Sequence, residues 1–136
     1  MGTEWRNRWT GLPLWARCAL VVYAAGFTEG SVTHIRQLTQ GGWHTYGYAP
    51  VVLQAFFVSL VLLDPLVIAL TGLARRAGVW LAAVVMVADM SANWYANRAN
   101  PSPSRPASGL LFLTIFGAFV LITAIPLQRR LVTRGG

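Results

Sequence analysis

Four apolar stretches organise the chain, at about 14–35, 51–74, 79–97 and 109–127, each near the twenty residues a helix needs to cross a hydrocarbon core. Pro13 and Pro50 suit first-turn positions, and Gly41-Gly42 and Pro101-Ser102-Pro103 mark two longer loops. Arg75-Arg76-Ala77-Gly78 predicts a tight hairpin between the second and third stretches. The pattern predicts an all-α, polytopic membrane protein: one four-transmembrane-helix bundle over residues 1–136, without internal repeats or a separate soluble domain.

The first run follows Arg6, Arg8 and Arg17 and has the outline of a signal peptide. Arg17 lies at its edge, however, and no small-residue cleavage site follows, so the run reads as a retained span. A lipoprotein signal fails too, because Arg17 precedes Cys18. With four spans, the termini and the Arg75-Arg76 hairpin share a side that collects Arg6, Arg8, Arg17, Arg75, Arg76, Arg129, Arg130 and Arg134. The other side holds only Arg36, Arg98 and Arg105, and this imbalance predicts that both termini are cytoplasmic. The loops 41–50 and 100–108 then face outward, with Trp43, Tyr46 and Tyr48 as either interfacial aromatics or pocket lining.

The polar residues inside the spans form stripes. On the first span Cys18, Val22, Ala25, Glu29, Thr33 and Arg36 share a face. On the third, Asp89, Asn93 and Asn97 recur every fourth residue, continued inward by Ala82, Val85 and Met86. Glu29 lies seven residues before Arg36 and Asp89 nine before Arg98, roughly 10 and 13 Å from the outer ends. Polar stripes turn toward a bundle interior, so the two acids are expected to face one space. Carboxyl groups removed from water favour the neutral form, and a close pair resists double ionisation, which suits proton donation to an apolar substrate or the binding of a cation. The opposing reading is that Glu29 and Asp89 hydrogen-bond to Asn93, Thr33 or His34 and merely lock the packing.

Asp64 precedes Pro65 in the cytoplasmic half of the second span and reads as structural, with Arg17 as partner, or else as an inner gate or second proton site. Gln54 adds either an amide at the level of the acids or a headgroup contact. On the fourth span Phe112, Phe116 and Phe119 follow helical spacing beside Gly117, as an aromatic pocket wall or as ordinary packing. His34 is expected to tune Glu29. His34 and His44 with Glu29 and Asp89 have no specific metal spacing, and neither a metal nor any other cofactor is expected.

Composition narrows the chemistry. At 55% hydrophobic and 11% charged residues, the chain is too apolar for a soluble domain of this size. All 11 basic residues are arginine, which excludes lysine chemistry and fits a high-GC bacterial genome, hence a bacterial plasma membrane as the expected location. The net charge of +7 is scattered between spans and forms no basic stripe with interleaved aromatics, so anionic lipid headgroups are expected partners and nucleic acid is not. Cys18 is the one cysteine, which excludes an internal disulfide, and it reads as a small core residue. No phosphate loop and no nucleophile elbow is present.

Taken together, Glu29, the loop "WHTYGY", the second span "LVLLDPLVIAL", the hairpin "ARRAG", the polar end "ADMSANWYANR" and the closing "TAIPLQRR" resemble the EXPERA family of four-span membrane proteins over about residues 18–131. The resemblance implies a bundle enclosing a hydrophobic cavity where acids meet a carbocation or a protonated amine. Glu29 and Asp89 would be the acid pair, with Asn93, Trp94 and Tyr95 around the ligand. The acid that the family carries on the second span falls here to Gln54 or Asp64.

The leading expectation is an enzyme that protonates, isomerises or cyclises an isoprenoid or sterol-like lipid, with Glu29 as proton donor and with Trp94, Tyr95 and the phenylalanines stabilising a developing cation. The alternatives are a non-catalytic protein that binds a lipid or lipophilic amine, alone or as a homo-oligomer, and a structural subunit of a larger membrane complex.

Overall fold

A computed structural model of the chain describes residues 2–103 and 105–132. Among these, all regular structure is helical: α1 (Glu4–Thr10), α2 (Leu14–Gly41), a single 3-10 turn (Gly42–His44), α3 (Val51–Gly72), α4 (Arg76–Ala99) and α5 (Ala107–Val132). Arg134 lies outside the described residues.

Local chemistry sets the boundaries. Pro13 and Pro50 occupy the extended cap positions just before α2 and α3, where a missing N–H costs nothing. The polar segment 36–41 continues α2 beyond its expected end, and the helix stops only at Gly42, whose φ of 61° and ψ of −157° are open in practice to glycine alone. The hairpin between α3 and α4 is as tight as its sequence implies. A Cβ on Gly78 would stand 2.7 Å from the Thr71 nitrogen and 2.8 Å from the Leu70 carbonyl carbon, both backbone atoms that cannot swing aside. Gly78→Ala is therefore expected to cost about 1–3 kcal/mol through overpacking, read as a lower melting temperature in mild detergent.

Helices α3, α4 and α5 are each long and apolar enough to cross a membrane. The first span meets that description only when α1 and α2 are taken together, and the two are bent by 119°. Arg17 explains part of this corner: its guanidinium donates to the Leu12 carbonyl at 2.9 Å and the Thr10 carbonyl at 2.6 Å. It is thus occupied at the bend and is not the partner of Asp64. Cys18 is exposed, not a core residue, because the buried face of α2 runs through Ala16, Ala19, Leu20, Tyr23, Phe27 and Ser31.

Each helix from α2 to α5 packs against the next, while α2 touches α5 only lightly. The inner half of that last seam is sewn by Tyr23, whose hydroxyl donates to the Val120 carbonyl at 2.8 Å, and by the Phe27 and Phe116 rings in edge contact at 5.6 Å. The Trp9 indole donates to the Gly72 carbonyl at 2.7 Å, and Arg76 and Gln128 exchange hydrogen bonds between α4 and α5. These contacts gather α1, the 73–75 turn and the end of α5 at one end of the bundle. The opposite end carries the loops after α2 and α4.

Candidate functional site

Outward of the Phe27 and Phe116 contact the helices part around a cavity of about 330 Å³. Its walls come from all four long helices and from the loops that follow α2 and α4. The apolar share includes Phe27, Phe57, Met86, Leu113 and Phe116, and three carboxylic acids, Glu29, Asp64 and Asp89, face the same space.

The acids are not equivalent. Asp89 is 9% exposed and its Oδ1 accepts from the Asn93 side-chain amide at 2.8 Å, one helical turn along α4. Asp64 is 4% exposed and has no hydrogen-bond or cationic partner among the described residues. It lies within electrostatic reach of Asp89. A Cβ on Gly30 would come within 2.8 Å of Asp64 Oδ2, so a glycine at position 30 leaves the room this carboxyl occupies. Glu29 is exposed at the cavity edge, where its Oε1 accepts from Thr33 at 3.2 Å.

Glu29 and Asp89 face one space as expected, and Asp64 joins them there; of the three, Asp64 and Asp89 are the buried ones and Glu29 is exposed at the edge. The reason is rotational: the stripe Cys18, Val22, Ala25, Glu29 and Arg36 is exposed, about 100° per residue away from the face that carries Phe27 and Gly30. Depth also shifts. Because α2 runs on to Gly41, Gly30 lies eleven residues, roughly 16 Å, from that end of the helix, and Asp64, fourteen residues or roughly 21 Å from Pro50, meets it there.

His34 lines the cavity but does not bond Glu29. Its Nδ1 lies 3.0 Å from the Tyr46 hydroxyl, which in turn donates to Gln37 Oε1 at 2.8 Å. Tyr46, 2% exposed, packs on Phe57 at 5.1 Å and is pocket lining, as is Tyr48, whereas Trp43 is exposed. Burial pushes the Tyr46 hydroxyl up to about 12, with Tyr48 and then Asp89 adding to the effect. The unfolded chain releases this proton near 10, so the folded state is expected to lose stability as pH rises from there through 12. Tyr46→Phe should flatten the fall of melting temperature across that alkaline window.

Of the other expected ligand contacts, Thr33, Asn93, Phe112 and Phe116 line the cavity, the two rings stacked at 6.2 Å. Gln54, Trp94, Tyr95 and Phe119 do not. The Gln54 amide donates to the Ala49 carbonyl at 2.7 Å beside the start of α3. Trp94, 39% exposed, braces α4 to α5 by donating to Thr114 at 3.0 Å, and Tyr95 is 56% exposed. One and two residues beyond Asn93, they are rotated off the inward stripe. Phe119 packs against Tyr23 at 6.2 Å, below the cavity.

Sequence reasoning missed Arg105 and Gln37. Arg105 lines the outer mouth, its guanidinium 4.2 Å from the Tyr48 ring centre and donating to the Asn100 carbonyl. No spacing rule links residues 48 and 105, so the sequence carried no signal for that contact. Among the described residues no three metal-binding side chains gather closely enough to hold an ion, so the three acids are spread along the wall. Compared with known proteins, the chain matches no family model, no curated protein and no solved structure.

Proposed function

We propose that the protein is a four-span integral membrane protein of EXPERA-like layout, both termini cytoplasmic, that acts on an isoprenoid or sterol-like lipid by proton transfer inside the bundle. The observation that carries this reading is Asp64, a residue 4% exposed whose carboxyl has no hydrogen-bond partner among the described residues and opens onto the cavity together with Asp89. Leaving such a group without a partner costs stability, and that cost is characteristic of functional sites.

In the proposed step one carboxyl gives its proton to a carbon–carbon double bond, forming a C–H bond and a carbocation. The other, as carboxylate, removes a proton from the neighbouring carbon and restores a double bond, so the lipid is isomerised and the pair has exchanged one proton. The faces of Phe27, Phe57 and Phe116 border the space where positive charge would develop. Cyclisation would use the same first step. A volume of about 330 Å³ is at the low end for ligand pockets and suits an isoprenoid segment better than a whole sterol nucleus.

Orientation rests on arginine. The end of the bundle that carries Arg6, Arg8, Arg17, Arg75, Arg76, Arg129 and Arg130 would face the cytoplasm, with α1 and its Trp5 along the headgroups. A second reading, binding of a lipophilic amine without chemistry, is favoured by three carboxyl side chains on a wall where, among the described residues, Arg105 at the mouth is the one arginine. Mass spectrometry of lipid that co-purifies with the protein tests the first. An isoprenoid or sterol-like lipid is expected, and bulk phospholipid alone would contradict it.

A further inference from the structure

Beyond the cavity mouth lies a second hollow of about 570 Å³, and the two share Gln37, Tyr46, Tyr48 and Arg105 on their walls. The outer hollow has no acidic lining residue among those described, and Arg105 is its one cation. The cation is pre-oriented by its stack on Tyr48 and its bond to the Asn100 carbonyl.

At the end of α2 the Gln37 carbonyl accepts from the Thr45 hydroxyl at 2.6 Å and the Leu38 carbonyl from the Gly42 N–H. Pro106 and Gly109, at the start of α5, line the cavity but not the outer hollow, so the positive end of that helix lies on the cavity side of Arg105. The carboxyl groups are set well below. Gly30, beside Asp64, is seven residues or roughly 10 Å deeper along α2 than Gln37.

We infer that the site takes an amphiphile with an anionic head, a phosphate or carboxylate, held by Arg105 in the outer hollow while its hydrocarbon chain descends past Asp64 and Asp89. This deepens the proposed function and rests on its reading of the cavity as a lipid site. A fixed head would set the register of the chain against the acids, deciding which double bond meets them.

The full chain in phosphatidylcholine nanodiscs is titrated calorimetrically with geranyl phosphate, geraniol, geranylamine and inorganic phosphate. Geranyl phosphate should bind about tenfold or more tighter than geraniol, the worth of one charge-assisted contact. Arg105→Gln should erase the difference without weakening geraniol, and Arg105→Lys should keep part of it. Tightest binding of geranylamine, an unchanged preference in Arg105→Gln, or inorganic phosphate binding as well as geranyl phosphate would each overturn the inference. Phosphate preference in a protein that never transfers a proton to lipid would leave the inference standing and end the reading beneath it.

Discussion

Asp64→Leu should yield a protein that is more heat-stable than the wild type and unable to convert its lipid. The Asp64 carboxyl has no hydrogen bond to lose, and its removal leaves no partner unsatisfied among the described residues. Burying a polar group without compensation costs about 1–3 kcal/mol, and an apolar side chain of similar size recovers that amount. The two methyl groups that replace the carboxyl oxygens are somewhat bulkier, and the cavity in front gives them room. Thermal unfolding in mild detergent checks the direction. A marked fall in melting temperature would instead make Asp64 a packing lock between α2 and α3, and the proposed chemistry would lose its first acid.

Asp89→Asn should separate chemistry from folding at the second acid. The new amide oxygen still accepts from Asn93, 2.8 Å away in the native pair, so stability should change by less than about 1 kcal/mol. Lipid conversion should fall about 10²- to 10⁴-fold, the usual worth of a positioned acid or base. Glu29→Gln is the internal comparison. Exposed at the edge and bonded to Thr33, Glu29 is expected to matter less than tenfold for the rate, short of that general acid–base range. If the Glu29 variant were the inactive one and the Asp89 variant the active one, the enclosed pair would have been assigned to the wrong residues.

How far the sequence disclosed this arrangement depended on the kind of signal. The stripe Asp89, Asn93 and Asn97 was legible because α4 is one uninterrupted helix, so fourfold spacing translated directly into a shared inward face. Phe112 and Phe116 were legible for the same reason on α5. The α2 stripe was legible in part: Glu29 and Thr33 line the cavity, but residues four apart define a face and not which way it turns, and the buried residues are Tyr23 and Phe27. The level of the acids was reckoned from Arg36, whereas α2 continues to Gly41, and so Asp64, in the second half of α3, meets Gly30. The Gly41-Gly42 pair was the better marker. Tyr46 and Arg105 sit on loops, where no period relates residues that meet only after folding.

The most direct test of the central claim, that the enclosed pair Asp64 and Asp89 passes a proton to carbon, is isotopic. Wild-type protein in membranes is incubated in D₂O, and the lipid that co-purifies is analysed by mass spectrometry for deuterium at non-exchangeable carbon positions. Incorporation in the wild type, with none in Asp64→Asn or Asp89→Asn, is the predicted result. Lipid that stays unlabelled with the wild type, or labelling that persists at full level in either variant, would contradict the account.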